Sequence, residues 1–190
     1  SLIVEPKTIF YIQYAKGKLI LPTEDLEASM YGVLMDTMEA HGLQQYEISN
    51  FAHEGYASTH NKIYWDNDEY AGFGAGAHGY LNGIRYSNVA PIKKYIEIVM
   101  EGKLPLLHEH EVTVEEKLEE QMFLGLRKTA GVTHEEFEMK FNQSMEDLYK
   151  ETISRLLEEQ LIEFDTKGIR LTRKGRFIGN EVFQRFLGGE

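Results

Sequence analysis

Two stretches stand out for the chemistry their residues could do. His60-Asn61-Lys62-Ile63-Tyr64-Trp65 packs an imidazole, an amide, a phenol and the chain's one tryptophan into six residues. On a helical turn His60 and Tyr64, four apart, share one face, and Asn61 and Trp65 share the adjoining one. A neutral imidazole in that setting is a good axial ligand for haem iron. Tyr and Trp add flat apolar area with a polar tip, suited to lining a tetrapyrrole. The plainer alternative is that His60 caps the helix and Trp65 fills a core. The second stretch, Gly72-Phe73-Gly74-Ala75-Gly76-Ala77-His78-Gly79, is nearly bare backbone ending in a histidine. Its spacing departs from the dinucleotide fingerprint, which needs GxGxxG opening a helix. The glycines alternate at period two. A strand over residues 69–74 would therefore carry one face without side chains, open to a ligand or to a second backbone.

The elements that must position these residues are legible in part. Residues 2–4 suggest a buried strand, and residues 7–16 a helix closed by Gly17. Thr23 caps a helix whose first turn is acidic, which suits the positive end of a helix dipole. Its apolar residues Leu26, Met30, Val33, Leu34 and Met38 recur at helical spacing, and Gly42 stops it. Residues 45–49 form a second strand. Strand, helix, strand predicts a βαβ unit with parallel pairing, followed by a loop over residues 50–58. Asn82-Gly83 between two apolar runs is a hairpin signal. Pro91 opens a helix, and residues 104–111 read as a connector, with a domain boundary near residue 110.

The remainder has a different texture. Thr113…Glu116 and Thr133…Glu136 are capping boxes, and Ser144 caps a third helix. The hairpin 161–172 turns at Asp165-Thr166-Lys167-Gly168, and Thr172 caps a last helix over residues 173–187. Three helices and a hairpin describe a winged-helix-like unit. Its third helix is acidic, which argues against nucleic-acid recognition, as does the net charge of −11. His108 and His110 lack a third metal ligand at sensible spacing. No apolar run approaches the roughly 18 residues of a membrane span. The N-terminus lacks the basic region of a signal peptide. The chain has no cysteine, so these residues supply no thiolate to a zinc ion or an iron–sulfur cluster.

Taken in order, several stretches resemble one family. They are Leu2-Ile3-Val4-Glu5-Pro6-Lys7-Thr8, Tyr46-Glu47-Ile48-Ser49-Asn50-Phe51-Ala52, His60-Asn61-x-x-Tyr64-Trp65, Tyr70-x-Gly72-x-Gly74-x-Gly76-Ala77-His78 and Arg85-Tyr86-x-Asn88. With Gly125-Leu126-Arg127, Gly131-Val132 and Leu171-Thr172-x-x-Gly175-Arg176, they resemble the radical SAM proteins related to oxygen-independent coproporphyrinogen III oxidase. HNxxYW is associated with that family's haem-chaperone branch. The resemblance implies an α/β fold, residues 1–110 being the C-terminal part of a partial (β/α)6 barrel and residues 111–190 a mostly helical, winged-helix-like domain.

The same resemblance implies haem held by His60, with Asn61, Tyr64 and Trp65 beside it, and delivery to haem-acceptor apoproteins. It also implies S-adenosylmethionine lined by Gly74, Gly76, Ala77, His78 and Ser1. The family's [4Fe–4S] cluster sits on a CxxxCxxC loop upstream in the barrel, and this chain has no cysteine to hold one. The expectation is thus a C-terminal half, without cluster chemistry of its own and residing in the cytoplasm. The edge of strand 2–4 would be free to pair with a second copy as a homodimer. The alternative activity is anaerobic oxidative decarboxylation of coproporphyrinogen III.

Overall fold

The computed structural model describes residues 4–188. Ser1, Leu2 and Ile3 fall outside the described residues, so neither the predicted strand 2–4 nor the placing of Ser1 beside a cofactor can be located. Helix α1 (Ile9–Ala15) starts where the Thr8 hydroxyl accepts from the Tyr11 N–H. Helix α2 (Glu24–Ala40) starts in the same way at Thr23, with Glu24, Asp25 and Glu27 in its first turn. The predicted stripe of α2 does not face a core: Leu26, Met30, Val33 and Leu34 are exposed, and Met35 is the helix's one buried residue.

The predicted parallel pairing of strand 45–49 with strand 2–4 lies outside the described residues, and strand β1 (Gln44–Glu47) shows a different neighbour. It pairs antiparallel with β2 (Asn50–Ala52), a segment read as loop from sequence, through a tight turn with a bulge between Gln45 and Glu47. Two residues separate the strands, too few for any parallel crossover. On its other side β1 docks on the segment after residue 125. The Thr129 N–H donates to the Tyr46 carbonyl (3.1 Å) and the Ile48 N–H to the Arg127 carbonyl (3.0 Å).

Helix α3 (Thr59–Trp65) follows, and then a three-stranded antiparallel sheet of β3 (His78–Leu81), β4 (Ile84–Asn88) and β5 (Leu106–Glu111). Asn82 (φ 52°) and Gly83 (φ 75°) make the predicted turn between β3 and β4, both with positive φ as a type I′ hairpin requires. Helix α4 (Ile92–Met100) begins after Pro91 as expected. The predicted connector 104–111 is instead largely strand. β5 pairs along β4 from Ile84–Glu111 to Asn88–Leu106, a long-range pairing that its polar, exposed side chains do not advertise.

The second half runs α5 (Val114–Gly125), β6 (Val132–Thr133), α6 (His134–Phe141), α7 (Met145–Leu148), α8 (Lys150–Glu158), β7 (Ile162–Phe164), β8 (Gly168–Leu171), α9 (Arg173–Phe177) and α10 (Gly179–Gln184). Strand order β6-β8-β7, all antiparallel, behind three successive helical segments is a winged-helix arrangement. The Thr113 box is reciprocal. At Thr133 the hydroxyl accepts from Glu136 N, but the Glu136 carboxylate turns away to Gln121. The predicted last helix is two, broken at Ile178 (φ −122°). The buried apolar cluster lies entirely here, from Leu118 through Met122, Phe137, Leu156 and Ile169 to Phe186.

Candidate functional site

The aromatic motif forms α3. The Ser58 hydroxyl, not His60, caps it by accepting from the Asn61 N–H. Its far end is a Schellman closure: Asp68 N–H donates to the Ile63 carbonyl and Asn67 N–H to the Tyr64 carbonyl, both at 3.1 Å. Asn67 takes the left-handed position (φ 53°) that this closure needs and that Asn tolerates better than most residues. Seven helical residues suffice to set two faces. His60 is exposed, its ring edge-on to Tyr64 with centroids 4.8 Å apart. Tyr64 is edge-on to Tyr70 at 4.4 Å. The motif's side-chain hydrogen bond belongs to Asn61, which donates to the Tyr46 hydroxyl at 3.1 Å. The His60 ring nitrogens have no hydrogen-bond partner among the described residues.

Trp65 turns inward. The Arg127 guanidinium lies 4.6 Å over its ring and 5.6 Å over Phe183. The motif thus divides: Trp65 reaches the C-terminal core through Arg127, while His60 presents an accessible imidazole with Tyr64 edge-on beside it.

The glycine stretch is a turn, not a strand. Tyr70 and Tyr80 exchange backbone hydrogen bonds at 2.8 Å, but the ladder stops there. Gly74 (φ 106°) and Gly76 (φ 71°) adopt positive φ, which cannot continue a strand. Gly72 is needed for space: a Cβ there would lie 2.0 Å from the His78 carbonyl oxygen. Of the two alternatives for this run, close approach of a second backbone is therefore what happens at Gly72.

Two residues of β4 pin the turn. Tyr86 Oη accepts from the Gly72 N–H at 2.8 Å, and Asn88 Nδ2 donates to the Gly74 carbonyl at 2.9 Å and the Gly72 carbonyl at 3.3 Å. The Gly76 N–H and Ala77 carbonyl are also engaged, with Val89 and Asn88 backbone. His78, at the start of β3, is exposed.

Tyr70 connects the two predicted clusters, touching Tyr64 on one side and leading into the glycine turn on the other. Burial pushes its phenol above the ordinary value, with Arg85 opposing. Arg85 sits 4.5 Å over the Tyr80 ring and makes a two-point pair with Glu120 (2.9 and 2.6 Å), donating also to Asn67 at 3.0 Å. Sequence reasoning singled out neither Arg85, Arg127 nor the residues after Trp65 as parts of this site. The only signal was their presence in, or next to, the resembling stretches. Among the described residues no group of three His, Asp or Glu could hold a metal ion, and His108 and His110 lie on β5. An exposed imidazole beside the Tyr64 ring, its nitrogens unengaged among the described residues, fits an axial ligand to haem iron. The donor set for an iron–sulfur cluster is not present in this chain.

Fold and site together define a mixed α/β chain in which an aromatic helix is tied to a winged-helix-like second half. The HemN C-terminal domain family matches residues 112–178. The chain is 52% identical over 188 residues to "Heme chaperone HemW" of Bacillus subtilis, covering 99% of this chain and 50% of that protein. It is 46% identical to "Heme chaperone HemW" of Lactococcus lactis over 98% of this chain and 49% of the relative. Among solved structures, coproporphyrinogen III oxidase (HemN) of Escherichia coli, described as a radical SAM enzyme, superposes with a TM-score of 0.70. The superposition covers 93% of this chain and 45% of that one, at 17% identity. The chain therefore belongs to the HemW/HemN family, and it spans about half the length of the curated relatives it matches.

Proposed function

We propose that this chain is the haem-holding part of a haem chaperone: His60 ligates haem iron, Asn61, Tyr64 and Trp65 shape the helix that presents it, and the haem passes to acceptor apoproteins in the cytoplasm. The observation that carries this reading is the exposed imidazole of His60, without a hydrogen-bond partner among the described residues and braced edge-on by Tyr64. The relatives' names point the same way. The oxidase alternative has fold likeness alone behind it, since its support is a neighbour at 17% identity.

In this reading residues 1–110 belong to the barrel side and residues 111–190 form the C-terminal domain. Gly74, Gly76, Ala77 and His78 border the S-adenosylmethionine side of the full-length protein, with Ser1 near them, and the [4Fe–4S] cluster depends on cysteines outside this sequence. The exposed apolar residues of α1 (Ile9, Phe10, Ile12) and of α2 suit a position against further barrel elements, because faces of this kind need a packing partner. When bound, haem would supply an iron centre, for which this chain offers the His60 imidazole. Tyr64 limits rotation of that ring, and Ser58 together with Asn67 fixes the helix on which it stands.

The test is a haemin titration of the full-length protein and of His60→Ala, read in the Soret region. Loss of the ligated spectrum and at least a tenfold weaker affinity are expected for the variant. An unchanged Soret band and affinity would remove His60 as ligand.

A further inference from the structure

The C-terminal end of α3 is held by cations from elsewhere in the fold at four consecutive residues. Arg127 covers Trp65. Lys128 Nζ pairs with the Asp66 carboxylate, its side chain only 12% exposed, and lies 3.6 Å from Glu136. Arg85 donates to Asn67. Lys140 Nζ pairs with Asp68 at 2.9 Å and also donates to the Asp66 carbonyl, the last turn's open acceptor. Lys128 and Lys140 are tied together on the far side, because Gln121 accepts from Lys140 (3.3 Å) and donates to Glu136 (3.1 Å). Asp66 caps α3 and Lys128 follows α5 directly, 62 residues away in sequence. The contact therefore joins the candidate haem helix to the buried C-terminal core and to nothing local.

We infer that Lys128 is a positioning residue for haem binding: through Asp66 it locks α3 against the C-terminal core and so sets the pose of His60. This rests on the proposed reading of His60 as the haem ligand. A seven-residue helix is too short to be stable by itself, so its direction is whatever its ends are fastened to. The N-terminal end has the local Ser58 cap and one hydrogen bond from Asn61 to Tyr46, while the C-terminal end has Lys128, nearly desolvated and paired on both sides. Without Lys128 the Asp66 carboxylate, 32% exposed at its side chain, can turn to water. The helix end then loses its tie to the C-terminal core.

The experiment uses the full-length protein as Lys128→Met, Lys128→Arg, Asp66→Asn and the double variant Lys128→Met/Asp66→Asn. Haemin affinity and Soret position are read alongside amide hydrogen exchange of residues 59–66. Lys128→Met keeps length and apolar stem, so the core has little reason to unfold. Expected is a roughly tenfold loss of affinity with a displaced Soret band, by analogy with residues that orient a metal ligand. Substantial recovery is expected in Lys128→Arg, and faster exchange in α3 while α5 and α8 stay protected. Asp66→Asn should behave alike, and the double variant should be no worse than either single one. Wild-type affinity and Soret in Lys128→Met, while His60→Ala loses both, would overturn the inference. Should His60→Ala bind haemin normally, the ligand assignment fails instead. The lock itself is then decided by exchange: unchanged α3 protection in Lys128→Met overturns it, and loss of protection sustains it.

Discussion

Tyr149 and Arg127, both partly buried, are placed by the rings around them. The Tyr149 ring packs edge-on against Phe186 at 5.3 Å and Phe137 at 6.4 Å. Burial, with the Glu119 charge adding to it, pushes its phenol up to about 12. Because the folded value lies above the unfolded value of about 10, the fold favours the neutral phenol. Tyr149 therefore leaves stability intact below pH 10, and stability falls as pH rises from about 10 to about 12. Tyr149→Phe should match the wild type in denaturant midpoint at pH 8 and lose less of it between pH 10 and 12. Parallel midpoint curves across that range would contradict the assignment, and the wild-type comparison cancels other alkaline effects. The same dependence on surroundings governs Arg127. Its planar guanidinium stacks between Trp65 and Phe183, a role that lysine's compact ammonium does not reproduce.

The turn carrying the glycines shows how an element can be held by side chains of its neighbour. Gly72→Ala would drive a Cβ into the His78 carbonyl, a backbone atom that cannot swing aside. Asn88→Ala would strip two carbonyls of their donor in a partly buried setting. Overpacking and an unmet polar group each cost about 1–3 kcal/mol. Both variants should lower the denaturation midpoint, whereas Gly17→Ala, with open space around its Cβ, should cost only the positive-φ penalty of about 1–2 kcal/mol. Equal losses at Gly72 and Gly17 would mean that the close approach is not what the glycine serves. What sequence revealed here was local. The caps at Thr23, Thr113 and Ser144 and the Asn82-Gly83 turn depend on neighbouring residues only. The i, i+4 pairing of His60 with Tyr64 depends likewise on helical spacing alone. Period two at Gly72, Gly74 and Gly76 suggested a strand because the pattern does not encode the sign of φ. β5 was missed because its pairing with β4 is long-range. The stripe on α2 gave the helix but not what it packs against. The lysine that secures α3 was invisible, 62 residues from its partner.

Across the whole molecule, burial is lopsided. Helix α1 buries no residue and α2 buries only Met35, whereas the apolar cluster from Leu118 to Phe186 comprises fifteen buried residues. Local opening free energy follows buried contact density, so the second half should behave as the stable unit and the first as a set of attachments to it. α3 and β1 are the best attached, through Lys128, Arg127 and Thr129. Amide hydrogen exchange on this chain should rank α5 and α8 slowest, β1 and α3 intermediate, and α1 and α2 fastest. Phe137 is fully buried between Phe141 and Tyr149, and Phe137→Ala should cost about 3–5 kcal/mol. If the dependence runs from the core outward, that variant should raise exchange in α3 and β1 together with α5, while α1 and α2, already near their unprotected limit, change little. Uniform protection from α1 to α10, or a Phe137→Ala effect confined to α6 and its neighbours, would show that the two halves open independently. The aromatic helix would then owe its placement to something other than the C-terminal core.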